Sequence, residues 1–344
     1  MKRSRVRDLA ERFESTGLPL FKRRTQEVGT MLPELYLHGL STGDFELALR
    51  GLLGEGAPLS ASSIQRLKAR FELEYEAWTT RDLSGLEVVY WWADGLYVKA
   101  GIEDRKRALL TIVGALTTGD KIVPACARGE RESKESWLNI LRDLKARGLP
   151  FPPLTVADGH LGIWAACGEI HPTGQEQRCW NHKITNVLDA LPKKEQQKAA
   201  KWLTAMPYAE TQADCERRRD AFVRTYRKTD QKAVDTLLRD WDWMVTFYTF
   251  PHEYWIHLRT TNIVESPFSS VRLRTDAAHR YKCVEGANAI IWKMRRVAEK
   301  SWRKLNAPQL LPLIASGMKC KDGVMLKSKL MKSDVSPQPE RTAA

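Results

Sequence analysis

Two aspartates in this 344-residue sequence occur in the same local context, which is the first sign of chemistry. Asp94 lies in WWADG and Asp158 in TVADG, so each follows an apolar, strand-like run and precedes a glycine. An Asp-Gly pair by itself favours a turn, and on its own stretch we interpret Asp94 as a strand end. The repeated context adds a second interpretation. If the two strands are neighbours, both carboxylates meet at one point, and a divalent cation such as Mg²⁺ between them would offset their repulsion.

A two-metal site needs a third acid, and Glu265 is the candidate. On its pattern alone, Asn262 and Glu265 are better interpreted as a capping box at a helix start. Pro267 is tolerated only in a first helical turn, so it predicts a helix that starts at Ser266 and leaves Glu265 just outside. The residues around Glu265 are basic or small and polar: Arg259, Thr260, Thr261, Asn262, Ser266, Arg272 and Arg274.

The elements that must position these acids follow a mixed α/β pattern. Three strands in hairpin succession start near Leu86, with TTGD as the turn between the second and the third. A helix in SKESWLNILRDLKARG, a strand before Asp158, a helix and a short strand in QEQRCWNHK come next. Charged helical segments then predict an all-α insertion, in QQKAAKWLTAM, DCERRRDAFVRTYRK and AVDTLLRDWDWMVTFY. A further helix is predicted in GANAIIWKMRRVAEKSWRKL.

The first part of the chain has the pattern of two helices separated by a glycine-rich turn. The first is predicted in STGDFELALRGLLG and the second in SASSIQRLKARFELEYEAW. A helix with polar and basic residues near its start is typical of a helix-turn-helix that contacts DNA. An ordinary helical hairpin is an equally good interpretation. The candidate DNA-contacting residues are Ser62, Ser63, Gln65, Arg66 and Lys68.

The composition narrows the class of partner. Fifty-five Lys and Arg against 42 Asp and Glu give a net charge of +13, and the basic residues are clustered. Such an excess predicts a polyanionic partner, most simply nucleic acid, whereas solubility alone would not require clusters. The six cysteines are scattered, which indicates reduced thiols. No apolar run is long enough for a bilayer, and the first residues lack the apolar centre of a signal peptide, so we expect a cytoplasmic protein without membrane contact.

Several blocks together resemble the bacterial insertion-sequence transposases of the Mutator superfamily. They are VVYWWADGLYVK, ESWLNILRDLKARG, TVADGHLGIWAA, QRCWNHKITNVLDALP, FPHEYWIHLRTTNIVES and VRLRT, and the resemblance extends from about Thr25 to Asn306. It implies a ribonuclease-H-like α/β core with an Asp-Asp-Glu metal triad and a helical insertion between the second Asp and the Glu. By motif match the triad is Asp94, Asp158 and Glu265, which places Asp94 in the centre of a sheet as a metal ligand.

The same family carries a Cys-x-x-His element, matched here by Cys179 and His182. As a bare motif it is half a zinc site, but a structural zinc needs four ligands and no second pair is at hand. We therefore favour a local role near the active site or the DNA.

The resemblance also implies a reaction and its partners. Two Mg²⁺ ions, with Mn²⁺ as a substitute, would support cleavage of double-stranded DNA at the element's ends and transfer of the freed 3′-hydroxyl to target DNA. The N-terminal helices would recognise the terminal inverted repeats, and two ends brought together imply at least a homodimer, associated with the bacterial nucleoid. A catalytically silent DNA-binding remnant and a ribonuclease-H-like nuclease without strand transfer are the alternatives. The residues expected to hold DNA near the site are Arg259, Asn262, Arg272 and Arg274.

These patterns divide the chain into five expected regions. They are a helical DNA-binding region at 1–85, a first part of the core at 86–184, a helical insertion at 185–255, the Glu-bearing helices of the core at 256–306, and a basic, partly disordered tail at 307–344.

Overall fold

A five-stranded mixed sheet forms the centre of the protein. The computed structural model describes residues 61–99, 106–129, 131–265 and 284–326. The strand order is β3-β2-β1-β4-β5, in which β2 runs antiparallel to both β1 and β3, and β4 runs parallel to both β1 and β5. The predicted succession of strands is confirmed. The strands are β1 (Val88–Lys99), β2 (Lys106–Leu116), β3 (Lys121–Gly129), β4 (Leu154–Ala157) and β5 (Gln175–Arg178).

The two Asp-Gly pairs have different backbone settings. β1 continues through Asp94 and Gly95, and Asp94 pairs with Thr111 of β2, so the interpretation of Asp94 as a strand end in a turn is wrong. Cross-strand pairing along the whole length of β2 outweighs the local preference of Asp-Gly for a turn. β4 does end before its aspartate: Asp158 Oδ1 accepts a hydrogen bond from the His160 N–H at 2.8 Å, and Gly159 has a φ of +93°.

Each face of the sheet is covered by helices with a large aromatic content. On one face, α2 (Lys134–Ala146) and α3 (Leu161–Ile170) bury Trp137 and Trp164 against the apolar side chains of β1 and β2. The other face carries Trp92 and Leu96 of β1 and packs against α1 (Ala61–Thr79), α11 (Val284–Glu299) and the insertion. Because side chains alternate along a strand, Asp94 lies on the same face as Trp92 and Leu96.

The predicted helical insertion follows β5. The helix predicted in AVDTLLRDWDWMVTFY is broken, because Asp240 adopts a left-handed backbone conformation with φ of +61° and its carboxylate pairs with Arg178. A 3₁₀ turn at Thr246–Thr249 completes that stretch. The helices are α4 (Trp180–Asp189), α5 (Lys193–Ala205), α6 (Gln212–Tyr226), α7 (Gln231–Leu238), α8 (Trp241–Met244) and α9 (Trp255–Leu258).

The second predicted N-terminal helix is confirmed as α1, which packs into the core through Phe71 and Trp78. Gln65 and Arg66 are exposed and Lys68 is half-buried, while Ser62 and Ser63 lie in the first turn of this helix. The first predicted helix lies outside the described residues, so the helix-turn-helix stays a prediction.

The expected tail contains regular structure in its first part. A short helix α12 (Leu311–Ala315) buries Leu311 and Ile314 in the core, and a hairpin joins β6 (Cys320–Lys321) to β7 (Val324–Met325). None of the helices that the structure describes combines the length and the apolar character required of a membrane span.

Candidate active site

The register of the parallel strands brings the two aspartates side by side. Ala93 of β1 pairs with Ala157 of β4, and Asp94 and Asp158 each follow directly on that pair. Ala157 in turn pairs with Arg178 of β5, so Cys179 follows β5 at the position equivalent to Asp94 and Asp158. The Cys179 N–H donates to the carbonyl of Ala157 at 2.7 Å. Asp94, Asp158 and Cys179 therefore lie at the same level of the sheet, within β1 and directly after the neighbouring strands β4 and β5.

Asp94 is a carboxylate in an unfavourable electrostatic position. Its burial, and next the charge of Glu265, raise the pKa of Asp94 to about 7, and Asp158 acts in the same direction. The Gly95 N–H, which donates to Asp94 Oδ1 at 2.9 Å, acts against this shift. A carboxylate that burial and two other acids push toward protonation is suited to bind a cation, because a cation would reverse both effects.

Glu265 reaches the same place from a short helix, α10 (Asn262–Glu265). Glu265 is the last residue of this turn, and the predicted helix start at Ser266 lies outside the described residues. The capping-box prediction for Asn262 is wrong: the Glu265 N–H donates to the Thr261 carbonyl at 3.0 Å, and the Thr261 hydroxyl, not Asn262, contacts the Glu265 carboxylate. Asn262 is exposed, and its side-chain oxygen accepts a hydrogen bond from Asn181 at 3.1 Å.

Thr261 links this helix to the Cys-x-x-His element. It is fully buried, its N–H and hydroxyl lie 3.4 and 3.2 Å from Cys179 Sγ, and the same hydroxyl is hydrogen-bonded to Glu265 Oε1. Behind it, the Trp180 N–H donates to the Arg259 carbonyl at 2.8 Å. These contacts attach the segment that carries Glu265 to the end of β5.

Cys179, His182 and Glu265 form one cluster in which the potential ligand atoms lie within 4.8 Å of one another. The interaction of His182 with Cys179 raises the pKa of His182 to about 9, with further contributions from the charges of Glu265 and Asp158 and against the effect of burial. His182 is therefore a cation at neutral pH, among carboxylates. The cluster offers three ligands among the described residues, one fewer than a structural zinc site requires.

Three arginines were expected to hold phosphates. Arg259 is half-buried, and its guanidinium carbon lies 4.6 Å from the ring centroid of Tyr208 and 5.3 Å from that of Phe247. In this position it packs within the insertion, so its DNA contact stays a prediction. Arg272 and Arg274 lie outside the described residues.

Comparison with known proteins identifies the family of this chain. The sequence model of the family described as "Transposase, Mutator family" matches residues 6–304. The chain belongs to the Mutator family of transposases. It is 41% identical over 307 residues to the transposase for insertion sequence element IS6120 of Mycolicibacterium smegmatis, covering 89% of this chain and 94% of that relative. The transposase for insertion sequence element IST2 of Acidithiobacillus ferrooxidans is 39% identical over 301 residues, covering 86% and 99% of the two chains.

Two charged residues of this transposase lie beside the acids and escaped the sequence analysis. Arg295 of α11 is fully buried and donates to the Val264 carbonyl at 3.4 and 3.5 Å, one residue before Glu265. Arg295 lies four residues after Ile291, on the apolar side of the helix, and this spacing could have indicated a buried arginine. Glu132, between β3 and α2, is 6% exposed and lies in a charged segment whose pattern carries no such signal.

The Thr261 hydroxyl is predicted to hold Glu265 in its working position. Thr261→Val keeps the shape of the side chain and the backbone N–H contact with Cys179 but removes the hydrogen bonds of the hydroxyl to Cys179 Sγ and Glu265. We expect DNA cleavage by the transposase to fall about 10- to 100-fold, as misplacement of a reacting group by about 1 Å would cause. The free energy of unfolding should fall by only about 1 kcal/mol.

Cleavage of labelled element ends and urea unfolding would measure the two effects. Thr260→Val, at the adjacent half-exposed position, is the matched control and should be close to wild type. Equal cleavage by the two variants would show that the Thr261 contact does not position Glu265.

Proposed function

We propose that this transposase is a ribonuclease-H-like Asp-Asp-Glu enzyme that cleaves DNA at the ends of an insertion sequence and joins the freed 3′-ends to a target. The observation that carries the proposal is the convergence of three acids from distant parts of the chain. Asp94 and Asp158 each follow directly on the Ala93–Ala157 pair of the neighbouring parallel strands β1 and β4, and Glu265 is attached to the end of β5 through Thr261 and Cys179. The sheet order and strand directions support the ribonuclease-H-like assignment.

The residues present fit a divalent metal ion. Carboxylate oxygens are the ligands that Mg²⁺ and Mn²⁺ prefer, and Asp94 carries the raised pKa of an acid that is buried near other acids. Asp94, Asp158 and Glu265 would hold the metal. When bound, such ions activate the attacking oxygen and stabilise the leaving oxygen of a phosphodiester exchange.

The other residues of the site act on substrate position and charge. His182 is protonated at neutral pH and partly exposed, so its imidazolium offers a positive charge to a phosphate placed beside the acids. Arg295 holds the Val264 carbonyl and so fixes the helix that ends in Glu265. The net charge of +13 favours a DNA partner along the rest of the surface.

The test is a cleavage and joining assay with labelled DNA that carries the terminal inverted repeats of the source element, together with a target plasmid and Mg²⁺. Wild type would be compared with Asp158→Asn, which preserves the hydrogen bond from the His160 N–H but removes the charge. The control is Asp189→Asn, at an exposed position at the end of α4. We expect metal-dependent cleavage and joining by wild type and the control, and neither product with Asp158→Asn.

Two other outcomes correspond to the alternative functions. Cleavage without any joined product would identify a nuclease that lacks strand transfer. A gel shift with the element ends, but no cleavage by wild type in Mg²⁺ or Mn²⁺, would identify a DNA-binding remnant. Either result would overturn the proposed function.

A further inference from the structure

The sheet has a gap beside β1, beyond the end of β4. β1 extends to Lys99, whereas its pairing with β4 stops at Ala93. Beyond that point no described strand lies beside β1 on the β4 side, because the backbone leaves the direction of β4 after Asp158, at Gly159. Side chains from both faces of the sheet can therefore approach Asp158 through the gap. Glu265 lies near Asp94, on the face of the sheet that carries Asp94.

Glu132 occupies the other side of this gap. Gly95 belongs to the face of β1 opposite Asp94, and a β-carbon at Gly95 would lie 2.5 Å from Glu132 Oε1. The main chain of Glu132 packs closely against α3, because a β-carbon at Gly162 would lie 2.3 Å from the Glu132 carbonyl oxygen. Two glycines, one next to Asp94 and one shortly after Asp158, thus provide the space in which Glu132 fits.

The Glu132 carboxylate is buried beside a tyrosine and has no fixed cationic partner among the described side chains. The Tyr97 hydroxyl is hydrogen-bonded to it, and among the side chains that the structure describes no lysine or arginine forms a salt bridge with it. Burial and next the charge of Asp158 raise the pKa of Glu132, while His160 and His182 act in the opposite direction. A buried acid near a second acid is costly unless a cation compensates it.

We propose that Glu132 is a fourth carboxylate of the metal site and acts with Asp158 in holding a divalent cation in the gap beyond β4. The inference rests on the proposed function, because it assumes that Asp158 binds a metal. In this arrangement Asp94 and Glu265 are the ligands on one face of the sheet, and Glu132 is the ligand on the other face. Asp158, at the end of β4, is then the ligand common to both sides.

A purely structural role for Glu132 makes a different prediction. In that case the carboxylate serves to accept the hydrogen bond from Tyr97 and to pack against Gly95, and metal affinity is independent of its charge. Glu132→Gln keeps both the size and the acceptor, so a structural role would leave Mn²⁺ binding unchanged. Tyr97→Phe removes the hydrogen bond but keeps the charge of Glu132. A structural role would make this variant harmful, whereas a ligand role would leave its Mn²⁺ affinity unchanged.

The experiment is a titration of the full-length, DNA-free protein with Mn²⁺, in which electron paramagnetic resonance reports the free ion. Glu132→Gln should bind Mn²⁺ at least about tenfold more weakly than wild type, with an unchanged or higher unfolding midpoint in EDTA. Tyr97→Phe should stay close to wild type in Mn²⁺ affinity. The matched control is Glu135→Gln in the first turn of α2, where the side chain is 70% exposed, and it should bind Mn²⁺ as wild type does.

Mn²⁺ binding by Glu132→Gln equal to that of Glu135→Gln would overturn the proposal. If wild type binds Mn²⁺ and Asp158→Asn does not, that result leaves the proposed function standing. Absence of saturable binding in wild type would overturn both. Should Glu132→Gln fail to fold, Glu132→Asp keeps the charge on a shorter side chain. Weaker Mn²⁺ binding by that variant, with an unchanged circular dichroism spectrum, supports the role, and wild-type affinity excludes it.

Discussion

Asp94→Asn is expected to abolish DNA cleavage and joining while making the metal-free protein more stable. Asparagine preserves the shape of the side chain and leaves an oxygen to accept the hydrogen bond from the Gly95 N–H. It removes the charge that would hold the metal, so we expect a loss of at least roughly 10³-fold in cleavage rate. The same change removes a buried carboxylate that Glu265 and Asp158 repel, which should increase the free energy of unfolding on the order of 2 kcal/mol at pH 8.

The stability effect has a defined pH dependence. The pKa of Asp94 in the folded protein is raised to about 7, above its ordinary value of 3.8, so the folded state binds the proton more tightly than the unfolded state. The carboxyl group therefore costs no stability below about pH 4, an increasing amount from pH 4 to pH 7, and a constant amount above pH 7. The gap between Asp94→Asn and wild type should widen over this interval.

Urea unfolding in EDTA at several pH values between 4 and 8, combined with the cleavage assay, would measure both effects. Asp189→Asn, at its exposed position, should show wild-type cleavage and no pH-dependent gap. Cleavage by Asp94→Asn at the wild-type rate would contradict a ligand role for Asp94. A stability gap that stays constant with pH would contradict the electrostatic account of the site.

Arg295→Met is expected to be the more damaging of two neighbouring substitutions on α11. Arg295 is fully buried, donates to the Val264 carbonyl and lies near the charge of Asp94. Burial lowers the pKa of Arg295 to about 10, so the guanidinium remains charged at neutral pH. Methionine fills the space but leaves the Val264 carbonyl without this donor and Asp94 without this cation. We expect the free energy of unfolding to fall by about 3 kcal/mol, and cleavage to fall because α10 loses an anchor.

Arg296→Met is the matched control. Arg296 is the next residue of the same helix, its side chain is 39% exposed, and it pairs with Glu299 one turn away. The Glu299 side chain is 13% exposed and also has the charge of Arg81 nearby, so loss of this partly exposed pair should cost only about 1 kcal/mol. Urea unfolding midpoints and cleavage rates of the two variants would be compared directly. Equal losses would show that the buried guanidinium has no special role.

The strand order along the chain was predictable because local patterns decide it. Alternating or continuous apolar runs, the TTGD turn and the charged helices are all short-range features, and among the described residues the strands and most of the helices form where they were expected. Two of the failures of local prediction have clear physical causes. Pairing with β2 keeps Asp94 inside a strand, and the ion pair between Asp240 and Arg178 accompanies a left-handed residue that breaks a helix.

Three acids of the candidate site and its Cys-x-x-His pair could be named from the sequence, but their contacts could not. Repeated context pointed to Asp94 and Asp158, and the family resemblance added Glu265. The contact of Cys179 with Thr261 joins residues far apart in the sequence, so no spacing could reveal it. Glu132 belongs to a charged segment before α2, and only the fold shows that it faces Gly95.

The placement of the insertion between Asp158 and Glu265 has a consequence for the newly made chain. Synthesis delivers Asp94 and Asp158 early, with the strands that carry them, but Glu265 is made only after α4 to α9. Its attachment through Thr261 and Arg259 to the start of α4 also requires that the polypeptide has returned from the insertion. A nascent or truncated chain therefore holds an incomplete set of acids. Under the proposed function, cleavage competence is therefore expected late in synthesis, when most of the protein has already left the ribosome.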